Sequence, residues 1–294
     1  MRMTMSHSAA LFVGGLVLAF TVAGCDNSIE PFTESTRYYA IFGFLDADAD
    51  TQYVRIEPTR SNPELGPVVF DVASVETMDL TSGEVLAWSD SLVDLVDGGT
   101  GLLYFGRFRP IQGRSYRIEI RRSDGASTTA VTTVPDAPAL SVRRPDRSFV
   151  GTLQQGLLFA GVTRAPEHIV VNYAVTFGTL STPLEVKLPY NVVGVPEGSG
   201  WRVIVRLTRD KSTVLGRLDL TANDAVALHT LSIDLRLLSD DWPIDEPGIT
   251  ETNVTNGFGF FGSAVTHRAT WVLDSLYVSE LGLIDAQDKE GDGS

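Results

Sequence analysis

Asp46, Asp48 and Asp50, with Glu57 further on, fall at the spacing of ligand positions 1, 3, 5 and 12 of a calcium-binding EF-hand loop. Calcium needs several carboxylate oxygens converging on one point, and alternating aspartates in a turn can supply them. Two features oppose that chemistry. Thr51 stands at position 6, where the sharp turn needs glycine, and the flanking residues alternate as strands rather than helices. The competing reading of Asp46 to Asp50 is a solvated hairpin tip. A second acidic group surrounds Trp242-Pro243 and comprises Asp240, Asp241, Asp245, Glu246 and Glu251. Its spacing matches no ligand pattern.

Other catalytic chemistry finds little support. His168, His229 and His267 are far apart, and no pair has metal-ligand spacing. His229 shares parity with Leu231, Ile233 and Leu235, so a core position at a strand end is expected for it. No Gly-x-Ser-x-Gly elbow occurs. Gly98-Gly99-Thr100-Gly101 lacks the lysine and the following helix of a phosphate loop. An enzyme would have to rest on carboxylates brought together by folding, as in glycan hydrolases.

Cys25 is the only cysteine, so the chain can form no internal disulfide. Arg2 precedes an uncharged, mostly apolar run over residues 9–23, which leads through Val22-Ala23-Gly24 into Cys25 and then polar Asp26-Asn27-Ser28. A charged start, a short apolar core and a small-residue cleavage site make a secretory signal. As a helix the run reaches about 22 Å, short of the roughly 30 Å hydrocarbon core, so a permanent span is disfavoured. With cysteine at the cleavage position the segment resembles the bacterial lipoprotein signal, in which the thiol is lipidated and becomes the new N-terminus. A diacylglycerol plus an amide-linked chain anchors stably, where one chain would not. The membrane is thus an expected partner through lipid alone.

Net charge of −14 argues against nucleic acid and against electrostatic attachment to anionic lipid. Residues 1–24 read as the signal peptide, 25–36 as the lipidated cysteine and a tether, and 286–294 as a disordered tail. Between them the patterning is β. Over residues 115–122, Tyr116, Ile118 and Ile120 alternate with Arg117, Glu119 and Arg121. Ser123-Asp124-Gly125 then turns the chain back. The sequence also predicts strands at 38–45, 168–177, 201–208, 213–220, 229–237 and 265–273, with a turn at Asp210-Lys211. Thr221 and Asp224 are spaced as a capping box, and 275–283 is a second short-helix candidate. Pro135 and Pro138 suggest a boundary. The expected fold is all-β: an immunoglobulin-like β-sandwich over 37–135 and a second β-sandwich domain over 139–285, with one or two short helices at most.

Residues 231–262 carry a family resemblance. Leu231-Ser232-Ile233-Asp234-Leu235-Arg236-Leu237-Leu238-Ser239 precedes Trp242, and Asn253-Val254-Thr255-Asn256-Gly257-Phe258-Gly259-Phe260-Phe261-Gly262 follows. This Asn-x-x-x-Gly-x-Gly-x-Phe-Gly segment resembles a group of Bacteroidota-type envelope lipoproteins that share a domain of unknown function. The resemblance implies outer-membrane placement, often beside TonB-dependent transporters, and supplies no catalytic residues. In physical terms the glycines allow positive φ or close backbone approach, so a bent strand over the core explains the segment. The alternative is a ligand surface of Trp242, Phe258, Phe260 and Phe261, of the kind that stacks on sugars. The expected function is that of a lipid-anchored envelope binding or accessory protein, associated with a TonB-dependent β-barrel transporter. The alternatives are an envelope glycan hydrolase and a structural or adhesive surface protein.

Overall fold

The computed structural model describes residues 37–59, 71–94, 100–191, 194–242 and 253–287. Cys25, the leader, the tether, Asp245, Glu246, Glu251 and residues 288–294 lie outside the described residues.

In chain order the strands begin with β1 (Tyr39–Asp46), β2 (Gln52–Pro58), β3 (Ser74–Asp79), β4 (Val85–Ala87), β5 (Ser89–Asp94), β6 (Thr100–Gly106), β7 (Ser115–Arg121) and β8 (Ser127–Thr133). Next come β9 (Ala139–Val142), β10 (Asp146–Arg147), β11 (Leu153–Ala160), β12 (Glu167–Phe177), β13 (Leu184–Tyr190), β14 (Val195–Glu197) and β15 (Gly200–Val205). Helix α1 (Leu207–Arg217), strands β16 (Val226–Leu238), β17 (Val254–Thr255) and β18 (Gly257–Trp271), helix α2 (Ser275–Glu280) and β19 (Ile284–Asp285) complete the series. The chain is therefore mostly β, with two short helices and three sheets among the described residues.

Period-two patterning builds these strands. Tyr116, Ile118 and Ile120 of β7 are buried while the residues between them are partly open. In β12, Ile169, Val171, Tyr173 and Val175 are all buried. The largest sheet runs β13-β12-β16-β18-β1-β2-β6-β5, with β19 beside β16. One smaller sheet runs β10-β11-β15-β14 with β9 beside β11, and the other runs β17-β8-β7-β3-β4. The ladders are antiparallel except for β1 with β18 and β16 with β19.

β18 joins the two halves of the large sheet. Its first half, from Gly257 to Ala264, pairs with β1, and its second half, from Ala264 to Trp271, pairs with β16. β17 likewise pairs with β8. Strands from either side of residues 135–138 therefore share two sheets. Both smaller sheets lie against the inner face of the large one. Thr132 of β8 donates to Ser263 of β18 at 3.1 Å, and Trp271 of β18 donates to Gln155 of β11 at 2.9 Å. Buried residues of all three sheets form one hydrophobic cluster.

The region after β15 differs from the sequence reading. A turn at Asp210-Lys211 and a strand over 213–220 are predicted, but residues 207–217 form α1. Leu207, Asp210, Val214 and Leu215 are buried, a helical stripe rather than an alternating one. Conversely, Thr221 to Asp224 forms a turn, not a helix. The Thr221 N–H and hydroxyl both donate to Asp224 Oδ2, at 2.6 and 2.7 Å. Helix α2 starts where the second helix is expected, with Asp274 capping the Leu276 N–H.

Candidate functional site

The loop of Asp46, Asp48 and Asp50 is organised around Gln52 and two arginines. Gln52 is fully buried; its Oε1 accepts from the Asp46 N–H, and its Nε2 donates to the carbonyls of Asp46, Ala49 and Phe108. Arg236 on β16 reaches Asp46 Oδ2 at 2.8 Å and Asp48 Oδ2 at 2.7 Å. Asp48 Oδ2 also accepts the Thr266 N–H, while Asp50 pairs with Arg109 at 2.9 Å. Burial alone would raise the Asp46 carboxyl, but the Arg236 guanidinium and the Asp48 N–H hold it below the usual range. Glu57 points along β2 to Arg55. The carboxylates considered for calcium are thus engaged by arginines. Among the described residues no three His, Cys, Asp or Glu side chains gather as a metal site.

The Gly/Phe segment starts β18, and its asparagines and glycines are structural. Asn253 clamps Phe261, accepting its N–H at 3.0 Å and donating to its carbonyl at 2.7 Å. Asn256 adopts a positive φ of 54° and its carbonyl accepts from Tyr38 N–H and the Thr128 hydroxyl. Gly259 has φ 88°, and a Cβ there would stand 2.0 Å from the Ile41 carbonyl oxygen. Only glycine allows β1 so close.

The aromatic residues of this segment divide between two faces. Phe261 is completely buried on the inner face and belongs to the core, so it leaves the ligand-surface set. Phe258 and Phe260 lie on the outer face, where Phe258 is 39% exposed with the Arg37 guanidinium 4.4 Å from its ring centroid. Trp242 joins them from the loop after β16. Its ring centroid lies 5.6 Å from Phe260 and 5.0 Å from Phe44. It rests where Gly262 has no side chain, since a Cβ there would meet the indole at 2.9 Å.

Three further members of this face escape the sequence reading. Phe42 pairs across the ladder with Phe260, and Phe44 pairs with Tyr53 of β2. Phe42 is 42% and Tyr53 54% exposed. The missed signal is parity: Phe42 and Phe44 alternate with buried Ile41 and Leu45, so they must face the other way. The result is an aromatic row running from Tyr53 through Phe44, Phe42 and Phe260 to Phe258. Isolated exposed rings are ordinary on protein surfaces; here three exposed rings, Phe42, Tyr53 and Phe258, share one face of paired strands.

A separate acidic cleft of about 300 Å³ is lined by Asp136, Thr163, Ser239, Asp240 and Asp241 with neighbouring apolar residues. Burial and the adjacent Asp240 raise the Asp241 carboxyl, against a hydrogen bond from Thr132. Asp240 accepts from the Thr163 hydroxyl, and Arg164 holds the Trp242 carbonyl. His229 is partly buried against Thr176, 3.0 Å away, and burial lowers the His267 imidazole.

No protein-family model matches the chain. No curated protein matches it either. Among solved structures it is similar to a chain of a cytokine receptor complex, at 9% identity over 79% of this chain and 94% of that one, with a TM-score of 0.22. A likeness that low carries no argument about fold or activity.

Proposed function

We propose that this is a lipid-anchored cell-envelope binding protein that docks on a membrane partner through the outer aromatic face of its large sheet. The observation that carries this reading is the exposed row of Phe42, Tyr53 and Phe258 on paired strands. A sheet holds such rings at fixed spacing, so little conformational entropy is lost on docking. Phe44 and Phe260 complete the row, and Trp242 packs against both. Lipidation at Cys25 supplies the address, expected to be the outer membrane, and the partner in this reading is a TonB-dependent β-barrel transporter. The scaffold is read as two β-sandwich modules, the first immunoglobulin-like, joined by the shared strand β18. Affinity purification from detergent-solubilised membranes is expected to recover a β-barrel protein. Repeated recovery of the lipoprotein alone would contradict the reading.

The acidic cleft favours a second reading, an envelope glycan hydrolase, because two carboxylates there differ in environment. That reading requires turnover of cell-wall or surface glycan that Asp241→Asn abolishes. Wild-type protein inert on such glycans excludes it.

A further inference from the structure

β13, α1 and Arg206 between β15 and α1 enclose another cleft, of about 220 Å³. Arg206, Arg209, Thr213 and Arg217 recur along α1 at three- and four-residue steps, so one stripe of the helix faces this space. Tyr190 and Asn191 line it from the strand side. At its floor Asp210 is buried, and the hydroxyls of Tyr173 and Tyr190 both donate to its Oδ2.

This cleft gathers three arginines in an acidic chain. Several arginines elsewhere meet carboxylates: Arg143 with Glu197, Arg236 with Asp46 and Asp48, Arg268 with Glu185. Among the described residues Arg206, Arg209 and Arg217 form no ion pair, although the chain has 37 acidic residues against 23 basic ones. Arg217 donates to the Lys187 carbonyl. Three guanidinium groups lining one small cavity repel each other unless an anion joins them. Asp210 offsets part of that charge, but it lies beneath them with its Oδ2 occupied by two tyrosines.

We propose that the cleft binds a phosphate group, with Arg206 and Arg209 gripping its oxygens and Tyr190 and Asn191 bounding it. Guanidinium forks match phosphate geometry, and a small cavity admits the group without its bulk carrier. The group is either free phosphate or the headgroup of a phospholipid. This inference is independent of the aromatic face.

The test is calorimetric titration of the full-length protein, in uncharged detergent, with inorganic phosphate and with glycerol phosphate. Saturable binding is expected, weakened about tenfold or more in Arg209→Gln and in Arg206→Gln. Both side chains are exposed, so unchanged thermal unfolding of the variants separates lost binding from lost fold. Asp210→Asn, which removes the opposing charge, is expected to tighten binding several-fold. Stronger binding of glycerol phosphate identifies a lipid headgroup, and stronger binding of inorganic phosphate identifies the free ion. No binding at millimolar concentrations of either probe, or equal binding by wild type and Arg209→Gln, would overturn the proposal.

Discussion

The indole of Trp242 lies 5.0 Å from the ring of Phe44, over the place where Gly262 leaves β18 without a side chain. One residue comes from the first ladder partner of β18 and the other from the loop after β16. The aromatic face therefore depends on the strand that joins the two halves of the sheet.

The glycines of that strand differ in cost from glycines in open turns. Gly259→Ala sets a Cβ against the Ile41 carbonyl at positive φ, and is expected to cost about 2–4 kcal/mol. Gly161 has a similar φ, 82°, but nothing within 4 Å of its Cβ position. Gly161→Ala is expected to cost only about 1–2 kcal/mol. Denaturant midpoints of the two variants, compared side by side, check this difference.

Gln52 is a buried amide with its bonding capacity used to fix the turn that Arg236 grips. Gln52→Ala leaves those backbone groups unpaired in a closed site. A loss of about 2–4 kcal/mol is expected, measured by urea unfolding. A loss below about 0.5 kcal/mol, the range of neutral surface changes, would show that water replaces the amide.

Much of the scaffold is legible because burial follows the two-residue period. Tyr116, Ile118 and Ile120, or Ile169, Val171 and Tyr173, announce their faces by alternation alone. Helix α1 is not legible in that way. Val214 and Leu215 fit a short strand as well as a helix, and only the distant Tyr173 hydroxyl shows why Asp210 turns inward. The site is half legible. Trp242, Phe258 and Phe260 stand out by composition, but Phe261 differs from them only by parity, and its burial depends on which face the smaller sheets cover. Parity with Ile41 and Leu45 reports that Phe42 faces outward, but its neighbours Phe260 and, through Phe44, Tyr53 follow from ladder register, which no local pattern reports.

Asp79 makes stability depend on acid. Burial raises its carboxyl, but the Arg114 guanidinium at 2.7 Å and the N–H groups of Thr81 and Ser82 outweigh burial and hold it at about 2. Unfolded aspartate titrates near about 3.9. The group therefore stabilises the fold fully above about pH 4, and that contribution disappears as pH falls from 4 towards 2. Asp79→Asn is expected to be clearly less stable than wild type at pH 6, with the gap narrowing towards pH 2. A gap independent of pH would mean that the ionised carboxylate is not what matters.

Substitution of the exposed rings should separate binding from folding. Phe42→Ser and Tyr53→Ser remove side chains that are 42% and 54% exposed. Each is expected to shift stability by no more than about 1 kcal/mol while reducing recovery of the membrane partner several-fold. Phe261→Ser, in the core, is expected to unfold the protein instead.

The most direct test places a photo-reactive benzoylphenylalanine at position 53 of the full-length lipoprotein in its native membranes, with position 142 on β9 as the exposed control. Docking through the aromatic face requires a discrete adduct with a β-barrel protein from position 53 and none from position 142. No adduct from position 53, or equal adducts from both positions, would contradict it.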